Sequence, residues 1–185
     1  MGFHTYPVER ADQLEDPERY RYCSAEELVG ALDLAGTEKV VDRGVVTGFY
    51  AKDVVPHAGR VVGIDLQRPM LTRLTTRDPP VSVDPVQAAV DALPLADGAA
   101  DAAFSTMTFH EYATAAAHEA VHQLLSPGGR LVTVDWTSDG DGASGPSLDE
   151  RFDLDQAVDQ LQSAGFHIVS AEPRAETFLL IARAE

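Results

Sequence analysis

The chain has 185 residues, 44% of them hydrophobic, enough for one domain with a real core and against disorder. Thirty acidic residues against fourteen basic give a formal net charge of -16. Such a surface repels phosphate backbones and anionic lipid, so neither nucleic acid nor a membrane is expected as a partner, and no apolar run approaches the roughly 20 residues that span a bilayer.

Met1 to Arg10 holds no apolar stretch of a secretion signal, and Cys23 is the single cysteine. A reducing interior and a cytoplasmic location follow as expectations. Only Lys39 and Lys52 are lysines, and Asp outnumbers Glu eighteen to twelve. That balance resembles the proteins of salt-loving microbes, where screening tames self-repulsion; an ordinary acidic cytosolic protein is the alternative.

Asp16 to Tyr22 reads as a short helix behind Pro17, and Ser24-Ala-Glu-Glu27 as a capping box opening a helix that ends near Gly36. Lys39 to Asp42 is a buried strand, Gly44 to Gly48 a turn, and Phe49 to His57 a helix. Arg60 to Asp65 is a strand and Pro69 to Arg77 a helix. Val81 to Val86 alternates like a strand, which Pro85 confines to a sheet edge. Ala100 to Thr106 is a strand, Ala113 to Leu125 a helix, and Gly129 to Trp136 a strand opened by the turn Ser126-Pro-Gly-Gly129. After a loop over Ser138 to Ser147, Asp153 to Ala164 is a helix stopped by Gly165. His167 to Ala171 and Thr177 to Ala182 form a late hairpin. Strand and helix alternate almost throughout, which predicts an α/β, doubly wound, Rossmann-like sheet.

Asp42-Arg-Gly-Val-Val-Thr-Gly48 follows the first strand and opens a helix, and seventeen residues beyond Gly48 the second strand ends on Asp65. A glycine turn lets a ligand lie against backbone N–H groups, and an acid near this distance serves ribose hydroxyls. For Gly44, Gly48 and Asp65 the structural alternatives are a tight turn and a solvated strand end.

With these residues, the sequence resembles class I S-adenosylmethionine-dependent methyltransferases of the small-molecule branch. Val40 to Tyr50 is similar to the first motif, Val61 to Leu66 to the second, and Asp91-Ala-Leu-Pro-Leu-Ala-Asp-Gly98 to the segment beside the adenine. Asp101 to Glu111 resembles the fourth strand with its His-containing loop, and Leu125-Ser-Pro-Gly-Gly-Arg-Leu131 the approach to strand five. Gly145 to Arg151 and Ala164-Gly-Phe166 fit a cytosolic subgroup. The resemblance implies a seven-stranded sheet of order 3-2-1-4-5-7-6 with an antiparallel last strand. It implies one domain over residues 1–185, with a helical cap (1–36) and a Rossmann-like core (37–185). S-adenosylmethionine is the implied cofactor, touched by Asp42, Gly44, Thr47 and Gly48, by Asp65 and Leu66, by Asp91 and Ala92, and by Thr106. An unidentified small molecule is the implied methyl acceptor. The N-terminal segment with Tyr20, Tyr22 and Cys23 often covers the cofactor in this family, which implies a lid; packing of an extra helix is the alternative.

Three residues depart from the pattern. Val46 replaces the middle glycine and resists a positive φ. Ala89 stands where the family often has an acid for the adenine amino group, leaving Asp91 for that role. Arg43 ends a central strand, and a buried guanidinium needs a partner among Asp42, Asp65 and Asp101. It is expected to point into the pocket and pair with Asp65, partly filling the cofactor site. These departures keep open a non-catalytic relative that retains the fold as a binding module.

His110 follows strand four at the carboxyl edge of the sheet and is the candidate proton acceptor, against a loop histidine bonded to backbone. His118-Glu-Ala-Val-His122 spells a zinc-hydrolase pattern. It lacks a third ligand at a recognised spacing, and two exposed histidines flanking an apolar stripe are expected instead, with no metal.

Overall fold

The computed structural model describes residues 5–185. Residues 1–4 of the expected cap lie outside the described residues. Two short 3-10 helices, Val8–Glu15 and Pro17–Arg21, lead into α1 (Ala25–Leu32), whose cap Ser24 accepts from the Glu27 N–H at 3.2 Å. The core then runs β1 (Lys39–Arg43), α2 (Ala51–Val54), β2 (Arg60–Asp65), α3 (Arg68–Thr75), β3 (Asp84–Gln87) and β4 (Ala100–Thr106). It continues through α4 (Phe109–Tyr112), α5 (Ala115–Leu124), β5 (Leu125–Trp136), α6 (Leu154–Ser163), β6 (Phe166–Pro173) and β7 (Thr177–Ala184). No helix among the described residues is long and apolar enough to cross a membrane.

The seven strands order as β3-β2-β1-β4-β5-β7-β6. The first five run parallel, and β7 is antiparallel to both β5 and β6. Pro85 lies in the edge strand β3, where a missing N–H costs no ladder bond. This is the architecture the resemblance implied, with a doubly wound sheet.

Period-2 alternation divides each central strand between two cores. Val40, Phe104 and Val132 join α1, α2 and Leu71 and Leu74 of α3 on one face. Val41, Ala103 and Leu131 join α4, α5 and Leu161 of α6 on the other. Chain order reverses between β1 and β4, so their carboxyl ends open a crevice, the position where open α/β sheets take ligands.

Candidate functional site

The crevice is built around Asp65. Beyond β1, the Gly44 and Val45 N–H groups both donate to the Ile64 carbonyl, at 2.9 and 3.0 Å, which folds the turn over the end of β2. The Val46 N–H donates to Asp65 Oδ2 at 3.0 Å and the Gln67 N–H to Oδ1 at 2.7 Å. Each carboxylate oxygen therefore keeps a lone pair for a ligand. Burial raises the Asp65 pKa, and the two backbone N–H groups oppose the rise.

Gly44 adopts φ +85, and a Cβ there would come within 2.9 Å of the Thr108 side chain, so both conformation and space demand glycine. Val46 takes φ 50, the left-handed region, as a β-branched residue. Such a position costs about 1–3 kcal/mol and persists when the surroundings impose it; here the bond to Asp65 does so. Met107, just past β4, is also left-handed at φ 59.

Behind the turn is a small chamber lined by Arg19, Asp42, Gly44, Thr47, Tyr50 and Thr106. Three of the lining residues carry a buried polar atom without a hydrogen-bond partner among the described residues: Asp42 Oδ1, Thr47 Oγ1 and Arg19 Nε. The Arg19 guanidinium is otherwise held by the Leu14 carbonyl at 3.2 Å and stacks 5.4 Å over the Phe49 and Tyr50 rings. Burial holds the Asp42 carboxyl well above the usual range, Asp65 adds to this, and Arg19 opposes it. Native interiors rarely leave such groups unsatisfied, and the chamber, about 10 Å³, has room for about one water molecule.

The larger cavity beside it is lined by Arg19, Val46, Asp65, Leu66, Val90 and Glu111, among others. Asp91 and Ala92 are not among its lining residues, and Ala89 and Val90 take that wall. Gly48 also stands back from the cavities. It opens the helix after the turn, where a Cβ would meet Leu74 at 2.5 Å.

A second cleft of about 580 Å³, within the range of small-molecule sites, shares Tyr6, Leu14, Arg19, Met107 and Glu111 with the first. His110 lines it. Asp135, 1% exposed at the end of β5, holds His110 twice: it accepts from the His110 N–H at 2.6 Å, and both its oxygens lie 3.0 Å from Nδ1. Burial alone would lower the His110 pKa, but the Asp135 carboxylate, with Glu111 and Glu150, raises it above its ordinary value. Burial pushes Glu111 up to about 7 against the opposing pull of His110. Asp135 and Arg19 were not singled out in the sequence. An acid ending the otherwise apolar run Leu131 to Trp136 was the signal for the first of them.

Arg43 corrects the expectation made for it. It neither enters the cavity nor pairs with Asp65. Its side chain crosses to the opposite face of the sheet, where Nη2 donates to the Ala117 carbonyl at 3.0 Å and the guanidinium lies 4.6 Å over the Tyr112 ring. The cleft beside Asp65 stays open. His118 and His122 are not the exposed pair expected. His118 is 1% exposed, stacks on Phe109 at 5.1 Å and meets Gln160 Oε1 at 3.1 Å; burial pushes it down to about 4. His122 is half-buried with its ring against Phe166 at 5.0 Å. Among the described residues no three His, Cys, Asp or Glu side chains cluster as metal ligands.

In the N-terminal segment the Tyr20 hydroxyl donates to Asp53 at 2.6 Å, and Tyr22 packs edge-on to Trp136 in the wall of the second cleft. Cys23 is buried, its thiol pushed up to about 12 by burial.

A crevice at the switch between β1 and β4, with a glycine turn clamped by an acid, lies where a Rossmann-like sheet takes its ligand. Residues 41–133 match the model of the methyltransferase-domain family, and the chain belongs to that family. It is an S-adenosylmethionine-dependent methyltransferase. Among solved structures, the chain is similar to an S-adenosylmethionine-dependent methyltransferase from Aquifex aeolicus, at 22% identity and TM-score 0.88, over 98% of this chain and 100% of that one. A complex of the Haloferax volcanii Trm112 methyltransferase activator with its methyltransferase matches at 18% identity and TM-score 0.77, over 96% of both chains. The [4+2]-cyclase SpnF matches at 19% identity and TM-score 0.74, over 98% of this chain and 85% of that one. No curated protein matches the sequence. At these identities the structures speak for the fold, and a fold shared with a cyclase leaves the individual reaction to the site.

Proposed function

We propose that the chain transfers a methyl group to a small-molecule acceptor carrying a protic oxygen or nitrogen nucleophile, with His110 taking the proton. The observation that carries this reading is the chamber: its lining residues Asp42, Thr47 and Arg19 carry an orphaned carboxyl oxygen, an orphaned hydroxyl and an orphaned guanidinium N–H, and Gly44 and Val46 connect it to the cavity beside Asp65. With the chamber widened beyond its present room for about one water, Asp42 would take the α-ammonium group of the cofactor's amino-acid part and Arg19 the α-carboxylate. Asp65 then takes the ribose hydroxyls, with Leu66 and Val90 flanking the base. When bound, S-adenosylmethionine supplies an electrophilic methyl group on a sulfonium, and its demethylated product is S-adenosylhomocysteine.

The protein supplies proximity and a base. The two cavities share Met107, Arg19 and Glu111, so an acceptor held in the second cleft would lie against the cofactor cavity, and these walls would orient it. Asp135 occupies His110 Nδ1, which leaves Nε2 as the atom for the acceptor's O–H or N–H proton. The methionine and aromatic walls, Met107, Tyr22 and Trp136, suit an acceptor with an apolar body.

Calorimetric titration with S-adenosylhomocysteine in molar potassium chloride tests the reading. Wild type is expected to bind, and Val46→Gly to bind more tightly, because the substitution removes a side chain from the cavity wall and relieves the strained φ. Relief of about 1–3 kcal/mol exceeds the roughly 0.5–1 kcal/mol entropic cost of glycine, so the variant should also melt slightly higher. No heat and no protection from unfolding in either protein would leave the non-catalytic module as the account.

The acidic surface supports salt adaptation. With a formal net charge of -16, self-repulsion outweighs the exposed ion pairs Arg73–Asp12 and Arg60–Asp84, each worth at most about 1 kcal/mol. The melting temperature is therefore expected to climb steeply between dilute buffer, where repulsion reaches roughly 30 Å, and molar potassium chloride. A flat profile would remove the argument.

A further inference from the structure

Positive charge is answered unevenly over this acidic chain. Most arginines meet a carboxylate: Arg21 pairs with Glu18, Arg73 with Asp12, Arg77 with Glu15 and Arg174 with Glu27. Arg10 and Arg19 form no ion pair among the described residues, and both line the cleft of about 580 Å³ that holds His110. Arg19 also lines the cofactor cavity and the small chamber, and in the reading above it serves the cofactor's carboxylate. Arg10 lines the second cleft alone. Its side chain is held in place: Gln13 Oε1 accepts from Arg10 Nε at 3.1 Å and from the Tyr6 hydroxyl at 3.0 Å, and the guanidinium stands 5.6 Å over the Tyr6 ring. The two terminal nitrogens of Arg10 have no partner among the described residues. A guanidinium so placed offers a planar pair of donors, the geometry that matches a carboxylate.

The rest of the cleft suits an anion better than a cation. Its aromatic rings already carry guanidinium groups: beside Arg10 over Tyr6, Arg21 lies 5.9 Å over Tyr22 and Arg151 5.4 Å over Trp136. A ring that holds one cation gains little from a second, because the two cations repel. Two acids line the cleft, and neither forms an ion pair with Arg10. Glu150 accepts from the Ser147 N–H at 3.1 Å and from the Ser147 hydroxyl at 2.7 Å, closing the cap of a short 3-10 helix over Leu148–Glu150. Glu111 is desolvated, accepts from the Tyr6 N–H, and is pushed up to about 7, so it is partly neutral at neutral pH.

We propose that the methyl acceptor is an anionic aromatic molecule, with a carboxylate held by Arg10 and its nucleophile at the other end of the ring. This rests on the reading of the second cleft as the acceptor site. The ring takes the apolar wall of Met107, Tyr22 and Trp136. The carboxylate fixes the register and takes no part in bond making. For a hydroxyl nucleophile, the O–H proton passes to His110 Nε2, the oxygen forms the new bond to the methyl carbon, and the C–S electron pair stays on sulfur.

Trp136 is the only tryptophan of the chain and lies in the cleft wall, so its fluorescence reports occupancy directly. Three phenols that differ only in their tail are titrated into protein saturated with S-adenosylhomocysteine, at one fixed potassium chloride concentration: 4-hydroxybenzoate, neutral 4-hydroxybenzyl alcohol and cationic tyramine. Wild type should bind the carboxylate about tenfold more tightly than the alcohol, the worth of a hydrogen bond to a charged group, and tyramine most weakly. Arg10→Gln should erase the preference for the carboxylate and leave the alcohol unchanged, and Arg10→Lys, which keeps the charge, should restore part of it. Calorimetry with S-adenosylhomocysteine on the same samples follows the cofactor site separately, and Arg10→Gln should match wild type there. Tyramine binding as tightly as 4-hydroxybenzoate overturns the proposal and makes Glu111 the anchor of a cationic acceptor. A carboxylate preference that survives in Arg10→Gln overturns it too, as does silence from all three probes. If S-adenosylhomocysteine still binds in that last case, the cofactor reading stands while the acceptor class falls; if it does not, both fall.

Discussion

Replacing Asp65 by alanine is expected to weaken S-adenosylhomocysteine binding by about 100-fold or more, the largest binding effect of any single substitution in the site. Two losses combine. In the proposed complex the carboxylate accepts from the ribose hydroxyls, and hydrogen bonds to a charged group contribute about 1.5–3 kcal/mol each, where 1.4 kcal/mol is a factor of ten. The same two oxygens hold the Val46 and Gln67 N–H groups. Without them the left-handed Val46 loses the bond that imposes its conformation, and the turn relaxes away from the ligand. Asp65→Asn separates the two effects. It keeps an acceptor for one N–H but turns an amide NH2 toward the other, so it should fall between wild type and alanine in affinity. Calorimetry for binding and thermal melting for the turn report them independently. Affinity within threefold of wild type in Asp65→Ala would remove Asp65 from the cofactor site.

Much of this site was legible because strand ends and turns obey local rules. Asp42, Gly44 and Asp65 were found from a strand, a glycine turn and a second strand ending in acid. The strain at Val46 followed from placing a β-branched residue where a glycine belongs, and φ 50 is what it adopts. The order of the seven strands is not a local property. Alternation announces that strands and helices interleave, while the neighbours of each strand came from the resemblance.

The failures have equally definite causes. Asp42 and Arg43 are adjacent in a strand, so their side chains leave opposite faces. With Asp42 on the chamber side, Arg43 had to face α5, and alternation could have excluded its pairing with Asp65. His118 falls three residues before Val121, on the stripe that also holds Ala117 and Leu124. Treating histidine as polar hid the fact that its spacing was that of the core. The segment around Asp91 has no period to read, so the residue facing the cavity is set by the path of the loop, which presents Ala89 and Val90. β3 begins at Asp84 instead of Val81, and only four residues pair with β2. Asp135 was missed because its partner comes from a different strand end, twenty-five residues away.

That pair carries the other large expected effect. Asp135→Asn should lower the rate of methyl transfer by a factor of about 10²–10⁴, the usual worth of a positioned general base, while leaving S-adenosylhomocysteine affinity near wild type. His110 accepts a proton only when neutral. Its pKa lies above the ordinary imidazole value because the Asp135 carboxylate, despite burial, favours the charged ring. In wild type the rate should therefore rise with pH through a limb above about 6.5, the unperturbed value. Glu111, pushed up to about 7, ionises in the same range and adds negative charge beside the ring, which sustains the upward shift. Removing the Asp135 charge must move the limb to lower pH, because the imidazolium loses its partner, and the plateau must drop, because Nδ1 no longer has a carboxylate to fix the tautomer and aim Nε2. His110→Asn should abolish the limb altogether. A purely structural role for Asp135 predicts something else: lost cofactor affinity and a lower melting temperature with the pH profile unmoved. Rate loss with a displaced limb and intact affinity assigns Asp135 as the positioning residue of the base, whereas an unchanged profile in both variants would remove His110 from proton transfer and leave orientation alone to account for the chemistry.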